Sequence, residues 1–382
     1  MTVPMAAESS VLFIVENFRQ GWGGGPESVR LMARRLARFG VSSDVVDRGK
    51  LHKAIEAMDV LPVDQSLAEQ FVTARIRRYH ALFQIGPWQN PWRAWTLLRE
   101  RSSHAPHFYL PRGGLAEVEF VGKRGLKKYP YFSMIESRFL ESCDRIIYSS
   151  EAERRSTSIR YRDNGRSIVI PDYFEPGEIA TRKREAPTVL RLGFLAEIAP
   201  RKGLLEFIRA LALWAPQRAE RGWKIQLRIG GGVRPGSERY LAQVREISDA
   251  IPSVEIDYLG PISHADRSAF YAETDVFLLP STFESFGLTA LEAMSAGCVL
   301  LCSPYVGALE YVQHSPGVVV LDDLSVSSIE KGLDRAVHAV DRAGDAPSYM
   351  DAAAQVVSAI NAIADERWAQ LLHSSLAGAR AP

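Results

Sequence analysis

Short, continuous apolar segments recur along this chain, and most of them end at a glycine or a proline. The first spans residues 11–15, and residues 81–85 repeat the pattern before Gly86 and Pro87. An unbroken apolar run of this length is typical of a strand that is buried on both faces of a parallel sheet. Parallel strands need crossover connections, which are usually helices, so the pattern predicts an α/β fold.

A glycine-rich segment follows the first predicted strand. Residues 21–26 read Gly-Trp-Gly-Gly-Gly-Pro, and apolar residues then recur at helical spacing from Val29 to Gly40. We predict that the glycines form a loop before this helix, with Pro26 in the helix's first turn. With a second strand at residues 41–46, the segment makes a Rossmann-like unit, whose ligands bind beyond the carboxyl ends of the strands.

The same rhythm restarts in the second half of the chain. Strands are predicted there at residues 189–195, 224–229, 254–259, 275–279, 299–301 and 318–321. A length of 382 residues suggests two or three domains. We therefore predict two Rossmann-like, doubly wound domains facing each other across a cleft, at residues 1–172 and 173–350. A C-terminal helical segment, residues 351–382, is predicted to pack back on the first domain.

Composition and charge exclude several classes of protein. The chain is 46% hydrophobic and 24% charged, which argues against disorder. Its apolar runs are far shorter than the ~20 residues of a membrane-spanning helix, and no secretory signal is evident, so we expect a cytoplasmic protein. Residues 1–172 hold 26 basic and 19 acidic residues, against 20 and 26 in the rest. A basic half without interleaved aromatic residues suggests a membrane surface or a phosphorylated acceptor rather than nucleic acid.

The densest chemical signal lies in residues 280–297. Glu284 follows a predicted strand, and a helix is predicted from Gly287 to Gly297, with Glu292 one turn inside it. Amides at a helix start bind anions, and carboxylates accept hydrogen bonds from hydroxyl groups. The two carboxylates therefore fit a ligand with two polyol regions joined by phosphates, such as a nucleotide-sugar.

The Glu-x7-Glu spacing, within E-S-F-G-L-x-x-L-E-A-M-x-A-G, resembles the signature of the retaining glycosyltransferases of family GT4, which have the GT-B fold. Supporting similarities are Gly23-Gly24-Gly25, Pro200-Arg201-Lys202-Gly203 and Ile170-Pro171, so the resemblance spans nearly the whole chain. It implies that residues 1–172 bind an acceptor and residues 173–350 bind a nucleotide-sugar, here a UDP- or GDP-sugar.

The resemblance also implies roles for single residues. Glu292 would hold the ribose hydroxyls, Glu284 would contact the transferred sugar and matter most for the rate, and Lys202 would neutralise the departing diphosphate. The other implied donor-binding residues are Gly24, Gly25, Arg201, Ser285, Phe286, Gly287, Leu288, Thr289 and Ile262. The plain alternatives are a solvated helix residue for Glu292, a surface lysine for Lys202 and a flexible loop for the glycines.

One position departs from the family pattern. Where relatives have an arginine that binds the diphosphate, this chain has Glu197. A carboxylate repels a diphosphate, so three explanations stay open. Arg201 or another arginine substitutes, Glu197 turns away or meets a different group, or the chain is a weak or inactive member.

The acceptor side is less specific. Arg112 lies in Pro111-Arg112-Gly113-Gly114, which resembles a motif of bacterial polysaccharide enzymes, and it would bind an acceptor phosphate or the transition state. A structural salt bridge is the equal alternative. Trp88, Trp92 and Trp95 would stack on sugars or pack in the core. The basic and aromatic stretch that begins at Lys123 is either a membrane-contacting surface or a solvated face.

The resulting hypothesis is a retaining glycosyltransferase of exopolysaccharide or lipopolysaccharide assembly, acting on a lipid-linked glycan. No cofactor is implied, and no metal is expected, since Lys202 and helix amides take the place of a divalent ion. The three cysteines have no metal-ligand spacing and are expected to be reduced. The alternatives are a non-catalytic GT-B subunit that binds a partner or nucleotide, and a sugar-nucleotide epimerase of similar fold.

Overall fold

The computed structural model describes residues 9–15, 24–47, 50–53, 79–86, 105–120, 137–157, 165–177, 188–342 and 346–376. The chain divides into two compact units, of which the first combines Met1–Phe174 with Ile360–Pro382 and the second is Glu175–Ala359. The predictions for Trp88, Trp92, Trp95 and the stretch from Lys123 fall outside the described residues.

The first unit is built on a seven-stranded sheet with strand order β3-β2-β1-β4-β5-β6-β7. Its elements are β1 (Ser10–Val15), α1 (Gly24–Arg38), β2 (Ser42–Asp47), β3 (Lys50–Lys53), β4 (Ala81–Ile85), β5 (His107–Leu110), α2 (Ser137–Ser142), β6 (Arg145–Tyr148), α3 (Glu151–Ser156) and β7 (Ser167–Val169). Neighbouring strands are parallel, except that β3 pairs antiparallel with β2.

The core of this unit forms around β4, whose five residues are all buried. The Phe83 ring lies 5.3 Å from Phe13, 5.0 Å from Phe108 and 5.5 Å from Trp368, measured between ring centroids. Trp368 belongs to the C-terminal helix α10 (Ala346–Leu376). The last turns of that helix therefore complete the core of the first unit.

The second unit has a six-stranded, parallel sheet with strand order β10-β9-β8-β11-β12-β13. Its strands are β8 (Val189–Leu195), β9 (Lys224–Gly230), β10 (Val254–Gly260), β11 (Val276–Leu279), β12 (Val299–Cys302) and β13 (Val318–Val320). Its helices are α4 (Leu204–Ala219), α5 (Glu238–Asp249), α6 (Arg267–Ala272), α7 (Leu288–Ser295), α8 (Leu309–Val312) and α9 (Val326–Arg342).

Both sheets reverse their winding direction once, and this confirms the predicted fold class of two Rossmann-like, doubly wound domains. In the first sheet the reversal lies between β1 and β4, and in the second it lies between β8 and β11. Loops that follow the two central strands diverge to opposite faces of such a sheet and leave a crevice, which is where ligands of open α/β sheets bind.

Three details of the prediction were wrong. Gly24 and Gly25 form the first turn of α1 rather than a loop before it, since the helix begins two residues ahead of Pro26. The edge strand β3 was missed because its sequence, Lys-Leu-His-Lys, has no continuous apolar run. Pro200-Arg201-Lys202-Gly203, whose proline predicts the start of a helix, instead forms a 3₁₀ turn at Pro200–Lys202, and α4 begins only at Leu204.

The helices of the described residues reach up to 31 residues in length, in α10. None of them combines the length and the apolar character that crossing a bilayer requires.

Candidate functional site

The candidate site of the second unit lies where β8 and β11 end side by side. Leu192, Gly193 and Phe194 pair in parallel with the residues of β11, so the two strands deliver their following loops to the same edge of the sheet. The loop after β8 carries Glu197, Arg201 and Lys202. The loop after β11 carries Glu284 and leads into α7.

Lys202 and Glu284 form an ion pair across this edge. The Lys202 ammonium contacts Oε1 of Glu284, and the Ser281 hydroxyl donates to the same oxygen at 2.6 Å. The side chains are only 11% and 13% exposed. Both contacts fall on Oε1, so Oε2 receives no hydrogen bond from any residue that the structure describes and can accept one from a ligand hydroxyl.

The protein keeps Glu284 ionised. Burial of the carboxyl is the largest single effect and opposes its charge, but Lys202 and Arg201, with the hydrogen bonds from Lys202 and Ser281, outweigh it and lower its pKa. The site therefore offers a charged, acceptor-only carboxylate at neutral pH, next to an ammonium group with two further N–H donors.

The backbone holds the two loops against each other. The amide of Thr282 donates to the carbonyl of Arg201 at 2.8 Å, and its hydroxyl donates to the same carbonyl at 3.1 Å. Gly203 has φ +69°, and a Cβ there would lie 1.9 Å from the Pro280 carbonyl oxygen. Only glycine permits this approach, which sets the position of the neighbouring Lys202.

The start of α7 is positioned by a second backbone contact. The amide of Glu284 donates to Tyr305, and the carbonyl of Phe286 accepts from Ala308 at 2.7 Å. Gly287 caps the helix with φ +97°, where a Cβ would meet the Val306 side chain at 2.8 Å. The first amides of α7, from Leu288 and Thr289, have no acceptor within the helix and suit an anion.

Glu292 lies on α7 and is held from a second helix. Arg267 of α6 donates to its Oε1 at 3.0 Å, and the Tyr271 hydroxyl donates to its Oε2 at 2.6 Å. Burial, followed by the charge of Glu292, raises the pKa of Tyr271, so the hydroxyl stays a donor. Sequence reasoning missed both partners, because they precede Glu292 by more than twenty residues and no local motif links them.

Glu197 lies between two arginines. Its Oε2 is 3.7 Å from Nη2 of Arg201 and 3.8 Å from Nη1 of Arg234, which follows β9. The three side chains are between 28% and 40% exposed. Ile262 lies close by, since a Cβ on Gly230 would meet its Cδ1 at 2.5 Å. The position that departs from the family pattern is thus surrounded by positive charge, and Arg234 was not among the predicted residues.

In the first unit, Arg112 is engaged by its neighbours. Its guanidinium contacts Oδ1 of Asp172 and donates to the Ser28 hydroxyl at 2.6 Å. Among the described residues other than glycine, Arg112 alone has a positive φ, of 51°. The buried Glu153 accepts hydrogen bonds from the Gly113 amide at 2.5 Å and from the Ser149 amide at 2.7 Å, which holds the loop in this conformation.

The described residues contain no group of three or more His, Cys, Asp or Glu side chains arranged to hold an ion, and metal independence stays a prediction.

Comparison with known families gives a match to the second unit. Residues 178–352 match the sequence model of the family described as Glycosyl transferases group 1, which is slightly less than half of the chain. The matched range contains the Lys202–Glu284 pair, the cluster around Glu197, and Glu292.

Sequence relatives point the same way. A D-inositol 3-phosphate glycosyltransferase of Kineococcus radiotolerans is 27% identical over 202 residues, which cover 49% of this chain and 44% of the relative. The chain thus spans about half the length of the curated relatives it matches.

Solved structures match nearly the whole chain. Sucrose-phosphate synthase from Thermosynechococcus elongatus has a TM-score of 0.71 at 18% identity, over 97% of this chain and 99% of the other. Anabaena HepE in complex with UDP and glucose has a TM-score of 0.64 at 16% identity, over 95% and 99%. The fold is therefore that of the GT-B glycosyltransferases.

Proposed function

We propose that this chain is a retaining, GT4-like glycosyltransferase that moves a sugar from a UDP- or GDP-sugar to a hydroxyl of a lipid-linked glycan. The observation that carries the proposal is the buried Lys202–Glu284 ion pair at the point where the second sheet reverses its winding. It lies beside the first amides of α7, inside the range that matches the glycosyl transferase family.

The chemistry follows from the charges at this edge of the sheet. As the bond between the anomeric carbon and the diphosphate breaks, its electron pair moves to a phosphate oxygen, which gains negative charge. The ammonium of Lys202 and the amides of Leu288 and Thr289 are placed to stabilise that charge. The acceptor oxygen forms the new bond to the anomeric carbon, and its proton passes to the departing diphosphate. Attack from the face that the diphosphate leaves retains the anomeric configuration.

The carboxylates serve to orient the donor. The free Oε2 of Glu284 accepts a hydroxyl of the transferred sugar, and Glu292 accepts the ribose hydroxyls with the lone pairs that Arg267 and Tyr271 leave open. Ser285, Phe286 and Gly287 contribute backbone groups between them, and Ile262 lies toward the base. The diphosphate-binding roles of Gly24 and Gly25 stay predictions from the family resemblance.

The biological setting is exopolysaccharide or lipopolysaccharide assembly at the inner face of a membrane. The basic first half of the chain supports contact with an anionic lipid surface or a lipid-linked acceptor. Arg112 and Trp88 would both act there on the acceptor side. The complex of Anabaena HepE with UDP supports a nucleoside diphosphate as the carrier of the sugar.

A binding panel tests the proposal. UDP, GDP, ADP and their common sugar derivatives are titrated against the wild type, Glu292→Ala and the exposed control Glu255→Ala, and melting temperatures are recorded. A ligand at 100 times its Kd adds about 2.7 kcal/mol to the free energy of unfolding. We expect a shift with one nucleotide class that Glu292→Ala loses and Glu255→Ala keeps.

Turnover separates the proposal from its rival. Release of the nucleoside diphosphate from the donor that binds, with or without an added acceptor, supports a transferase, and the configuration of the product tests retention. Binding without any release would favour the non-catalytic subunit, whereas isomerised nucleotide-sugar would favour the epimerase.

A further inference from the structure

Three charged side chains meet beside the Lys202–Glu284 pair in an arrangement that sequence motifs do not explain. Arg201 and Arg234 approach the same oxygen, Oε2 of Glu197, from two different loops. The cluster carries two positive charges and one negative charge. It therefore retains a net positive charge, although it contains the carboxylate that replaces the family's arginine.

The backbone fixes this arrangement firmly. The two backbone segments that follow β8 and β9 stay paired beyond the strands. The amide of Ile198 donates to the carbonyl of Gly232 at 2.8 Å, and the amide of Arg234 donates to the carbonyl of Ile198 at 3.1 Å. Gly231 has φ +136°, and a Cβ there would lie 1.7 Å from the Ala196 carbonyl oxygen. This close approach delivers Glu197 and Arg234 to the same place at the edge of the sheet.

The ion pairs themselves are loose. Distances of 3.7 and 3.8 Å exceed those of hydrogen bonds, so the guanidinium groups have not used their donors on Glu197. The buried Nε of Arg201 has no hydrogen-bond partner among the described residues. Arg191 of the same unit shows the contrast, because its guanidinium donates two hydrogen bonds to Asp275, of 3.1 and 3.2 Å.

The guanidinium N–H groups of Arg201 and Arg234 are not used on Glu197, and they lie beside the proposed nucleotide-sugar site. They indicate an anion with several oxygen atoms. We infer that Arg201 and Arg234 bind the diphosphate of the nucleotide-sugar, and that Glu197 occupies their shared face until the diphosphate displaces it. This inference rests on the proposed function and adds Arg234 to the site. Arginine suits the role because its planar group donates two parallel hydrogen bonds to a phosphate.

The location supports a diphosphate in particular. Arg201 precedes Lys202 directly, and its carbonyl accepts both hydrogen bonds from Thr282 in the loop that carries Glu284. Its charge also lowers the pKa of Glu284, so it acts on the same site. An anion held by Arg201 and Arg234 therefore remains within reach of the electrostatic field of Lys202.

Calorimetric titration tests the inference. The wild type, Arg234→Ala, Arg234→Lys, Arg201→Ala and Glu197→Gln are titrated with the nucleoside diphosphate that binds best and with its parent nucleoside. Arg239→Ala is the matched control, because it removes an exposed arginine of α5 five residues away. Melting temperatures show that each variant is folded.

We expect Arg234→Ala and Arg201→Ala to weaken diphosphate binding by about 10-fold or more, with nucleoside binding unchanged. Arg234→Lys should lie between them and the wild type. Glu197→Gln should strengthen diphosphate binding about 3-fold, because the competing carboxylate is gone.

Equal affinities of Arg234→Ala and Arg239→Ala would overturn the inference while leaving the proposed function intact. The same holds if diphosphate and nucleoside lose affinity alike, or if Glu197→Gln weakens binding. A folded wild type that binds no nucleotide would instead overturn the proposed function, and this inference with it.

Discussion

Two basic loops of this molecule are similar in sequence and different in structure. The first basic loop, Pro111-Arg-Gly-Gly, follows β5, and the second basic loop, Pro200-Arg-Lys-Gly, follows β8. In the first, the terminal nitrogens of Arg112 contact Asp172 and Ser28 directly. In the second, the nearest carboxylate to Arg201 is 3.7 Å away. Within the part of the chain that the structure describes, the Nε atoms of both arginines have no hydrogen-bond partner, so the difference lies in the terminal nitrogens.

Position in the sheet explains the contrast. The second basic loop lies at the reversal between β8 and β11, whereas the first lies one strand away from the reversal between β1 and β4. Arg201, beside the crevice where ligands of such sheets bind, keeps its terminal nitrogens available, whereas Arg112, away from it, uses them on Asp172 and Ser28. A basic residue after a strand is therefore informative only together with the strand order.

The largest effect is expected at Lys202. Lys202→Ala removes the cation nearest to the departing diphosphate, and we expect the transfer rate to fall by about 10²–10³-fold. The exposed control Lys224→Ala should retain the wild-type rate. Steady-state kinetics measure both variants, and a loss below 10-fold would show that the second basic loop is no more functional than the first.

The next effect concerns Gly203, which fixes the second basic loop. Gly203→Ala places a Cβ against the Pro280 carbonyl in a left-handed conformation, and should lower the free energy of unfolding by about 3 kcal/mol. Gly222 has φ +84° and open space around it, so Gly222→Ala should cost about 1 kcal/mol. Urea denaturation compares them, and equal costs would argue against a close approach at Pro280.

Arg112→Ala tests the structural character of the first basic loop. It leaves Asp172 buried without its cation, so we expect the free energy of unfolding to fall by about 2 kcal/mol. Nucleotide affinity should stay within about 2-fold of the wild type. The control Arg154→Ala removes a half-exposed pair and should cost less than about 0.5 kcal/mol. If Arg112→Ala lost nucleotide affinity at wild-type stability, the first basic loop would be the one that binds the nucleotide, and the contrast between the two loops would be reversed. If Arg112→Ala raised only the KM for the acceptor, the acceptor-side role of Arg112 would be supported.

The smallest effects are pH dependences of opposite sign. Burial, against hydrogen bonds from Ser149 and Gly113, raises the pKa of Glu153 beside the first basic loop, whereas the pKa of Glu284 is lowered. The stabilisation by Glu284 is present above its ordinary range near pH 4.5 and is lost as pH falls through the lowered pKa. The stabilisation by Glu153 is present below the ordinary pKa range of a glutamate and is lost as pH rises through the raised pKa of Glu153.

Melting curves between pH 3 and pH 7 check this for Glu153→Gln and Glu284→Gln. We expect the difference in stability from the wild type to shrink toward high pH for Glu153→Gln, and toward low pH for Glu284→Gln. The same trend in both variants would mean that the two carboxylates share one kind of environment.

The sequence alone predicted the strands and helix starts whose positions depend on the local pattern of residues. The mostly apolar runs located β4 and β8 to the residue, because most positions of both strands are buried. The start of α7 followed from Gly287, which tolerates the left-handed cap. The polar strand β3 was not predicted, because its position depends on its pairing with β2 rather than on its own residues.

The partners of the site residues could not be predicted in the same way. Arg234 reaches Glu197 because β8 and β9 are neighbours in a fixed register, and Arg267 and Tyr271 reach Glu292 because α6 packs near α7. Such pairs depend on strand order and helix packing, which sequence spacing does not record. The roles of the site residues therefore stay predictions.

Helix α10 has a consequence for how the chain is made. Its residues from Ile360 onward belong to the first unit, where Trp368 lies against Phe83. A ribosome adds about 5–20 residues per second, so Phe83 leaves it tens of seconds before Trp368 exists. When the last residue of the second unit, Ala359, has been made, the first unit still lacks its segment from Ile360 onward and exposes the apolar surface that Trp368 will cover. The unit that is synthesised first is thus the one that finishes folding last.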